Sequence, residues 1–125
     1  MSAIAAIVAG SLRDVPDFPS PGILFKDIGP LIADPVAFAA VIEHWRARHT
    51  GRVEVIVGID ARGFIFGAAL AHALGTGFVP VRKAGKLPGP TIERSYDLEY
   101  GSATLAIQVG AISAGQRAFV VDDVL

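Results

Sequence analysis

Two adjacent carboxylates, Asp122 and Asp123, follow the apolar run Ala118-Phe-Val-Val121. In open α/β sheets ligands lie just beyond the carboxyl ends of strands, so an acidic pair there suits hydroxyl groups or a metal. A second segment, Gly58-Ile-Asp-Ala-Arg-Gly-Phe64, joins a strand-like run to a helix-like one. Glycines permit a tight turn, and a helix start offers unpaired N–H groups and a positive dipole end. Arg62 adds a guanidinium with bidentate geometry for phosphate oxygens. This is an anion site by construction, and an ordinary strand-to-helix turn with a surface arginine is the competing reading.

A third segment, Arg82-Lys-Ala-Gly-Lys-Leu-Pro-Gly-Pro90, sets three cations within five residues. Arg82 and Lys83 directly follow a strand and could face the same anion as Arg62. Lys86 lies farther into a Pro/Gly stretch that could close over a ligand. A solvated basic loop explains the same charges. Glu99, in Tyr96-Asp-Leu-Glu-Tyr-Gly101, has apolar and aromatic neighbours. Burial would raise its pKa and fit it for general acid or base work, while a surface carboxylate on a hairpin is the plainer alternative. His44, His49 and His72 show no ligand spacing with Asp or Glu and receive no catalytic role.

These groups need a scaffold, and the chain spells one. Residues 3–12 suit a short helix. Residues 13–30 hold Pro16, Pro19, Pro21, Gly22, Gly29 and Pro30 and are expected to be irregular, although Phe18, Ile23, Leu24 and Phe25 lie among them. Such a loop either packs on the core or holds a flat ligand. Asp34 is a plausible N-cap with Pro35 at the first position of a helix through residue 49, whose Phe38, Ile42 and Trp45 form a packing stripe. Residues 53–59 read as a strand, 62–74 as an Ala-rich helix closed by Gly75, and 77–81 as a second strand. That is a βαβ unit with parallel strands. Residues 82–94 are expected to be a loop. Residues 96–100 and 104–108 form a hairpin about Gly101-Ser102, and 117–124 form a last strand.

The 125 residues amount to one domain or a large part of one. The hydrophobic fraction is 52% and mean hydropathy +0.52, enough for a substantial core. A formal charge of −1 gives no bulk attraction for nucleic acid. With no cysteine there is no disulfide framework and no thiolate metal site, which fits a reducing cytoplasm. The N-terminal apolar stretch is too short to span a bilayer and lacks a basic start, so no membrane association is expected.

Taken together, the segments resemble the adenine phosphoribosyltransferase family. The matching runs are Asp17-Phe-Pro-Ser-Pro-Gly-Ile-Leu-Phe-Lys-Asp-Ile28, Gly58–Phe64, Arg82–Pro90, Ser95-Tyr-Asp-Leu-Glu-Tyr-Gly101 and Val120-Val-Asp-Asp-Val-Leu125. They occur in family order and span nearly the whole chain. The resemblance implies an α/β fold of type I phosphoribosyltransferase kind, a parallel sheet flanked by helices with an N-terminal hood. It implies transfer of a phosphoribosyl group from phosphoribosyl pyrophosphate to adenine, giving AMP and pyrophosphate, with Mg²⁺ as cofactor, in a cytoplasmic homodimer. On this reading one partial domain covers residues 1–125, with a hood over about 1–34 and a core over about 35–125 that carries a flexible loop at 82–95.

The resemblance also implies roles. Leu24, Phe25 and Lys26 form the adenine hood, with Phe25 stacking and backbone groups reading the base edge. Lys26 stands where relatives often carry Arg, which backbone readout tolerates. Asp60, Ala61, Arg62, Arg82, Lys83 and Lys86 serve the pyrophosphate, and the Asp60–Ala61 peptide is expected to be cis. Glu99 manages a proton on the purine with Tyr100 beside it, and Asp122 and Asp123 hold the ribose hydroxyls. No protein metal ligands are assigned. In the family the acidic pair runs into a Thr/Gly-rich loop that grips the 5′-phosphate. These 125 residues do not include that loop, so the chain is expected to be C-terminally truncated and, alone, inactive. A non-catalytic nucleotide-binding regulator of the same fold and an inactive fragment are the alternatives. The Phe25 hood, the Lys86 loop and Glu99 argue against the regulator.

Overall fold

A run of β-branched residues after a polar turn builds the central strand. In the computed structural model, which describes residues 2–98 and 101–123, this is β3 (Val55–Ile59), buried from Val55 to Gly58. Burial on both faces is why the run is continuously apolar rather than alternating. The chain divides into two compact units, residues 1–48 and 49–125.

In the first unit, Ser2 caps α1 (Ala3–Ser11) by accepting from the Ala5 N–H at 3.2 Å, yet no residue of α1 is buried. Residues 13–30, expected to be irregular, instead contain β1 (Arg13–Pro16) and β2 (Leu24–Asp27), paired antiparallel from Arg13↔Asp27 to Pro16↔Leu24. The prolines fall where they do no harm: Pro16 ends its strand, and Pro19 and Pro21 lie in the connection. Asp17 organises that connection from the left-handed region (φ 55°), its Oδ1 accepting from the Gly22 N–H at 2.9 Å. Pro30 lies in the first turn of a short helix, α2 (Gly29–Ala33), where its missing N–H costs nothing. Asp34 does cap α3 (Pro35–His49), with Oδ1 accepting from Val36 and Ala37. The buried stripe of α3 runs through Ala37 and Val41, with Phe38, Ile42 and Trp45 half-buried beside it.

The second unit holds α4 (Arg62–Leu74), β4 (Gly77–Lys83), β5 (Thr91–Leu98), β6 (Gly101–Gln108) and β7 (Ala118–Val121). The five-stranded sheet has the order β5-β6-β4-β3-β7. β3 pairs parallel with β4 through Ile59↔Val81 and with β7 through Gly58↔Val121. β6 runs antiparallel to both β4 and β5, so a hairpin extends a parallel core. The hairpin strands are longer than expected: Gly101 and Ser102 belong to β6, and residues 99–100 lie outside the described residues. β4 likewise takes in Arg82 and Lys83, shortening the basic loop to residues 84–90. The last strand is four residues, Ala118–Val121, which leaves Asp122 and Asp123 beyond its end. Gly75 closes α4 in the left-handed region (φ 71°), as its position predicted. Among the described residues no helix is long and apolar enough to cross a membrane.

Val55, Val57 and Val79 form one core cluster, with Val81, Ile107, Ala111 and Ile112 against it. Glycines set how closely α4 approaches the strand ends. A Cβ on Gly63 would stand 2.5 Å from the Val121 carbonyl oxygen, and one on Gly58 2.8 Å from the Gly63 carbonyl oxygen. Alanine is favoured over glycine inside a helix by about 1 kcal/mol. The backbone clash should outweigh that, so Gly63→Ala should destabilise the protein by about 1–3 kcal/mol. The urea midpoint measures this, with Gly77→Ala, whose Cβ would meet nothing within 4 Å, as the contrast. An unchanged midpoint for Gly63→Ala would refute the close-approach argument.

Candidate active site

Three neighbouring parallel strands deliver charged groups at their carboxyl ends. β3 leads into Asp60, Ala61 and Arg62, β4 ends on Arg82 and Lys83, and β7 leads into Asp122 and Asp123. Asp60 is tied to the neighbouring strand by its N–H, which donates to the Val81 carbonyl at 2.9 Å. The Asp60–Ala61 peptide is cis, as the resemblance implied. No side chain caps α4, which begins with Arg62 just after this peptide. The helix start therefore presents backbone donors and its positive end at the strand ends.

The charges are cross-linked in a way the residue types did not reveal. Arg62 Nε stands 2.9 Å from Asp123 Oδ2, and the Asp123 side chain is only 7% exposed. This contact is an ion pair without hydrogen-bond alignment: among the described residues Asp123 Oδ2 is buried and accepts no hydrogen bond. Arg82 Nε donates to Asp60 Oδ2 at 3.1 Å, and Arg82 Nη1 donates to the Lys86 carbonyl at 3.3 Å. Thus each arginine expected at the pyrophosphate is already engaged by a carboxylate. Lys83 and Lys86 are exposed. Spacing in the chain gave no signal for either pairing, since the partners lie 61 and 22 residues apart.

Asp122 is half-buried, and its Oδ1 accepts from the Asp123 N–H at 2.8 Å. Burial raises its pKa above the ordinary carboxylate value. The neighbouring Asp123 charge pushes the same way, while the Asp123 N–H and Arg62 oppose it. Glu99 and Tyr100, expected to handle the purine proton, lie outside the described residues. Among the described residues no group of three or more His, Cys, Asp or Glu could hold a metal ion.

The hood residues belong to β2 in the first unit. Phe25 is half-buried and meets Phe18 edge to face at 5.2 Å, and a shallow pocket is lined by Val15, Phe18, Phe25 and Asp27. Leu24 is exposed, and Lys26 Nζ pairs with Asp14 Oδ1 at 2.5 Å. Asp27 accepts from the Gly29 N–H and from Arg13. These two contacts, the backbone one first, hold its carboxyl below the usual range.

No family model matches the chain. Individual relatives do. Over 123 residues the chain is 56% identical to the adenine phosphoribosyltransferase of Acidothermus cellulolyticus, covering 98% of this chain and 70% of that protein. It is 57% identical to that of Pectobacterium atrosepticum, covering 97% and 66%. The crystal structure of adenine phosphoribosyltransferase from Saccharomyces cerevisiae, complexed with D-2,5-dideoxy-2,5-imino-altritol 1,6-bisphosphate and adenine, matches with a TM-score of 0.91 at 43% identity. That match covers 98% of this chain and 73% of the yeast one. The chain belongs to the adenine phosphoribosyltransferase family. It spans 66 to 70% of the length of the two bacterial relatives. The mixed sheet flanked by helices is the type I phosphoribosyltransferase architecture of these enzymes.

Burial of the Asp122 carboxylate carries a folding cost. The folded-state pKa of Asp122 lies above its unfolded value, so the native state binds its proton more tightly. Stability from this group is therefore present at low pH and falls as pH rises through the folded pKa. Asp122→Asn keeps an oxygen acceptor for the Asp123 N–H and removes the charge. Its Tm should exceed the parent's at pH 7, and the difference should vanish below the ordinary value of 3.8. Equal Tm values across that range would refute this account.

Proposed function

We propose that this chain carries the adenine-binding, pyrophosphate-binding and ribose-binding parts of an adenine phosphoribosyltransferase, transferring phosphoribose from phosphoribosyl pyrophosphate to adenine with release of AMP and pyrophosphate. The observation that carries the proposal is the grouping of Arg62, Arg82 and the Asp122–Asp123 pair at three adjacent strand ends beside an uncapped helix start. Support also comes from the yeast relative, whose structure holds adenine and an imino-altritol bisphosphate.

Displacing pyrophosphate from the anomeric carbon builds positive charge on the ribose and negative charge on the departing group. Arg62, Arg82, Lys83 and Lys86 would stabilise the departing charge as it forms. Backbone N–H groups at the start of α4 act in the same direction. Asp122 and Asp123 would hold the ribose hydroxyls and, being anionic, favour the electron-poor sugar. Phe25 would stack on adenine, and Glu99 would take or return the purine proton. A Mg²⁺ ion carried on the diphosphate would supply Lewis-acid charge neutralisation. Such an ion keeps most of its ligands from water and phosphate, so it needs no dedicated cluster of protein carboxylates.

The same reading takes a homodimer acting in the cytoplasm from the family resemblance. It also takes from the resemblance that turnover needs a Thr/Gly-rich grip on the 5′-phosphate, because the two like-charged carboxylates Asp122 and Asp123 would repel that phosphate.

Two measurements test the function. A polypeptide of the 125 residues should form little AMP from adenine. Turnover near that of the Acidothermus relative would refute the requirement for a further phosphate grip. In the chain extended by that relative's remaining segment, Phe25→Ala should raise the adenine KM about 5- to 100-fold, the range for losing one base–aromatic stack. Glu99→Ala should lower kcat by about 10²–10⁴ with little change in KM. Unaltered kcat would remove Glu99 from the mechanism.

A further inference from the structure

The Arg82 side chain does two things at once. Its Nε is held by Asp60 Oδ2 at 3.1 Å, and its Nη1 reaches the Lys86 carbonyl at 3.3 Å. Asp60 is the firmer member, with its side chain 15% exposed against 37% for Arg82, and its own N–H is fixed to Val81 at 2.9 Å. Lys86 is near the tip of the basic loop. The base of that loop is fixed separately to β6: Ala84 N–H donates to the Thr104 carbonyl at 3.0 Å, and Gln108 Nε2 donates to the Pro88 carbonyl at 3.2 Å. The tip itself, in contrast, makes a turn in which Lys86 N–H returns to the Lys83 carbonyl at 3.1 Å, with an exposed lysine.

We infer that Asp60 is a positioning residue that, through Arg82, latches the tip of the 84–90 loop to the turn after β3. The inference rests on the transferase reading for its purpose but not for its geometry. A guanidinium has five N–H donors in one plane, so fixing Nε by one carboxylate sets the direction of both terminal nitrogens. Asp60 thereby aims Nη1 at Lys86, while Nη2 makes no hydrogen bond among the described residues and remains for a ligand oxygen. One guanidinium then serves both the anion and the loop carrying the next cation. Asp60 needs no contact with the ligand. Its charge would in fact repel an anion, so its benefit must come through Arg82.

The test uses the 125-residue chain with Asp60→Ala, Asp60→Asn, Asp60→Ser, Arg82→Ala, or Asp60→Ala and Arg82→Ala together. Without ligand, tryptic cleavage after Lys86 should be about two- to five-fold faster in Asp60→Ala and in Arg82→Ala, the range for losing one partly exposed ion pair. It should be no faster again in the double variant. Asp60→Asn, whose amide oxygen still accepts from Nε, should stay near the parent. Asp60→Ser, too short to reach, should match Asp60→Ala and replaces it if the alanine variant does not fold. Cleavage after Arg117, outside the loop, should not change. A parallel rise there, or unchanged cleavage after Lys86, overturns the latch.

Calorimetry with inorganic pyrophosphate supplies the second readout. Asp60→Ala should weaken binding, and the double variant should bind no more weakly than Arg82→Ala. Tighter binding on loss of the Asp60 charge, or losses that add, would mean that Asp60 meets the ligand directly and would overturn the inference. A parent chain that binds no pyrophosphate refutes the transferase reading, and the cleavage comparison then decides the latch by itself.

Discussion

The approach of α4 to the end of β7 is the constraint from which the site follows. With no side chain at Gly63, the first turn of the helix lies directly against the Val121 carbonyl. That places Arg62, one residue earlier, within 2.9 Å of Asp123, two residues after Val121. A helix displaced by the width of one methyl group would separate the cation from its carboxylate. Asp123, with so little exposure, would then lose its Arg62 partner while buried, which costs several kcal/mol for a charge, as in other broken buried pairs. Packing of backbone against backbone thus decides the electrostatics of the strand ends.

The same physics explains what could be read from the chain. The continuous apolar run of β3 follows from burial on both faces, and Asp34-Pro35 and Gly75 mark the ends of α3 and α4 because each satisfies a specific backbone need. The charged groups at residues 60–62, 82–83 and 122–123 were legible as a candidate site because each follows an apolar run, and the parallel register brings those runs side by side. The β1–β2 hairpin was not legible. Proline density spoke for irregular chain, but the prolines fall at a strand end and in the connection, and cross-strand pairs such as Arg13–Asp27 and Asp14–Lys26 add to the ladder. A count of breakers says nothing about where in a hairpin they fall.

Pairing of the site's charges was also illegible, for a different reason. Local sequence specifies which residues end a strand, whereas the ion pairs join separate strand ends and depend on side-chain direction. Arg82 could point toward either face or along the strand. Its contact with Asp60 exists because the turn after β3 returns its carboxylate over β4, with the Asp60 N–H anchored on Val81. The glycine spacing in residues 58–67 was the one available signal of close approach. Within residues 58–64 the glycines suggest only a tight turn, whereas Gly63 acts through helix packing, as does Gly67 farther along α4.

Charge balance at the strand ends restricts what the site can hold. Arg62 meets Asp123 and Arg82 meets Asp60, with Asp122 beside Asp123, while Lys83 and Lys86 are exposed. With both arginines engaged by carboxylates, the strand ends are a weak attractor for a simple polyanion. A ligand with phosphates alone would be drawn by the lysines and repelled by the acidic pair. A ligand with a diphosphate at one end and hydroxyls or a developing positive charge next to it satisfies both sets at once. On the proposed transferase reading, the arrangement would favour a polarised molecule over a uniformly charged one, most strongly when the bond between its two halves is breaking. That would be the differential stabilisation the proposed transfer needs, and it would follow from keeping acids and bases adjacent rather than from the strength of either.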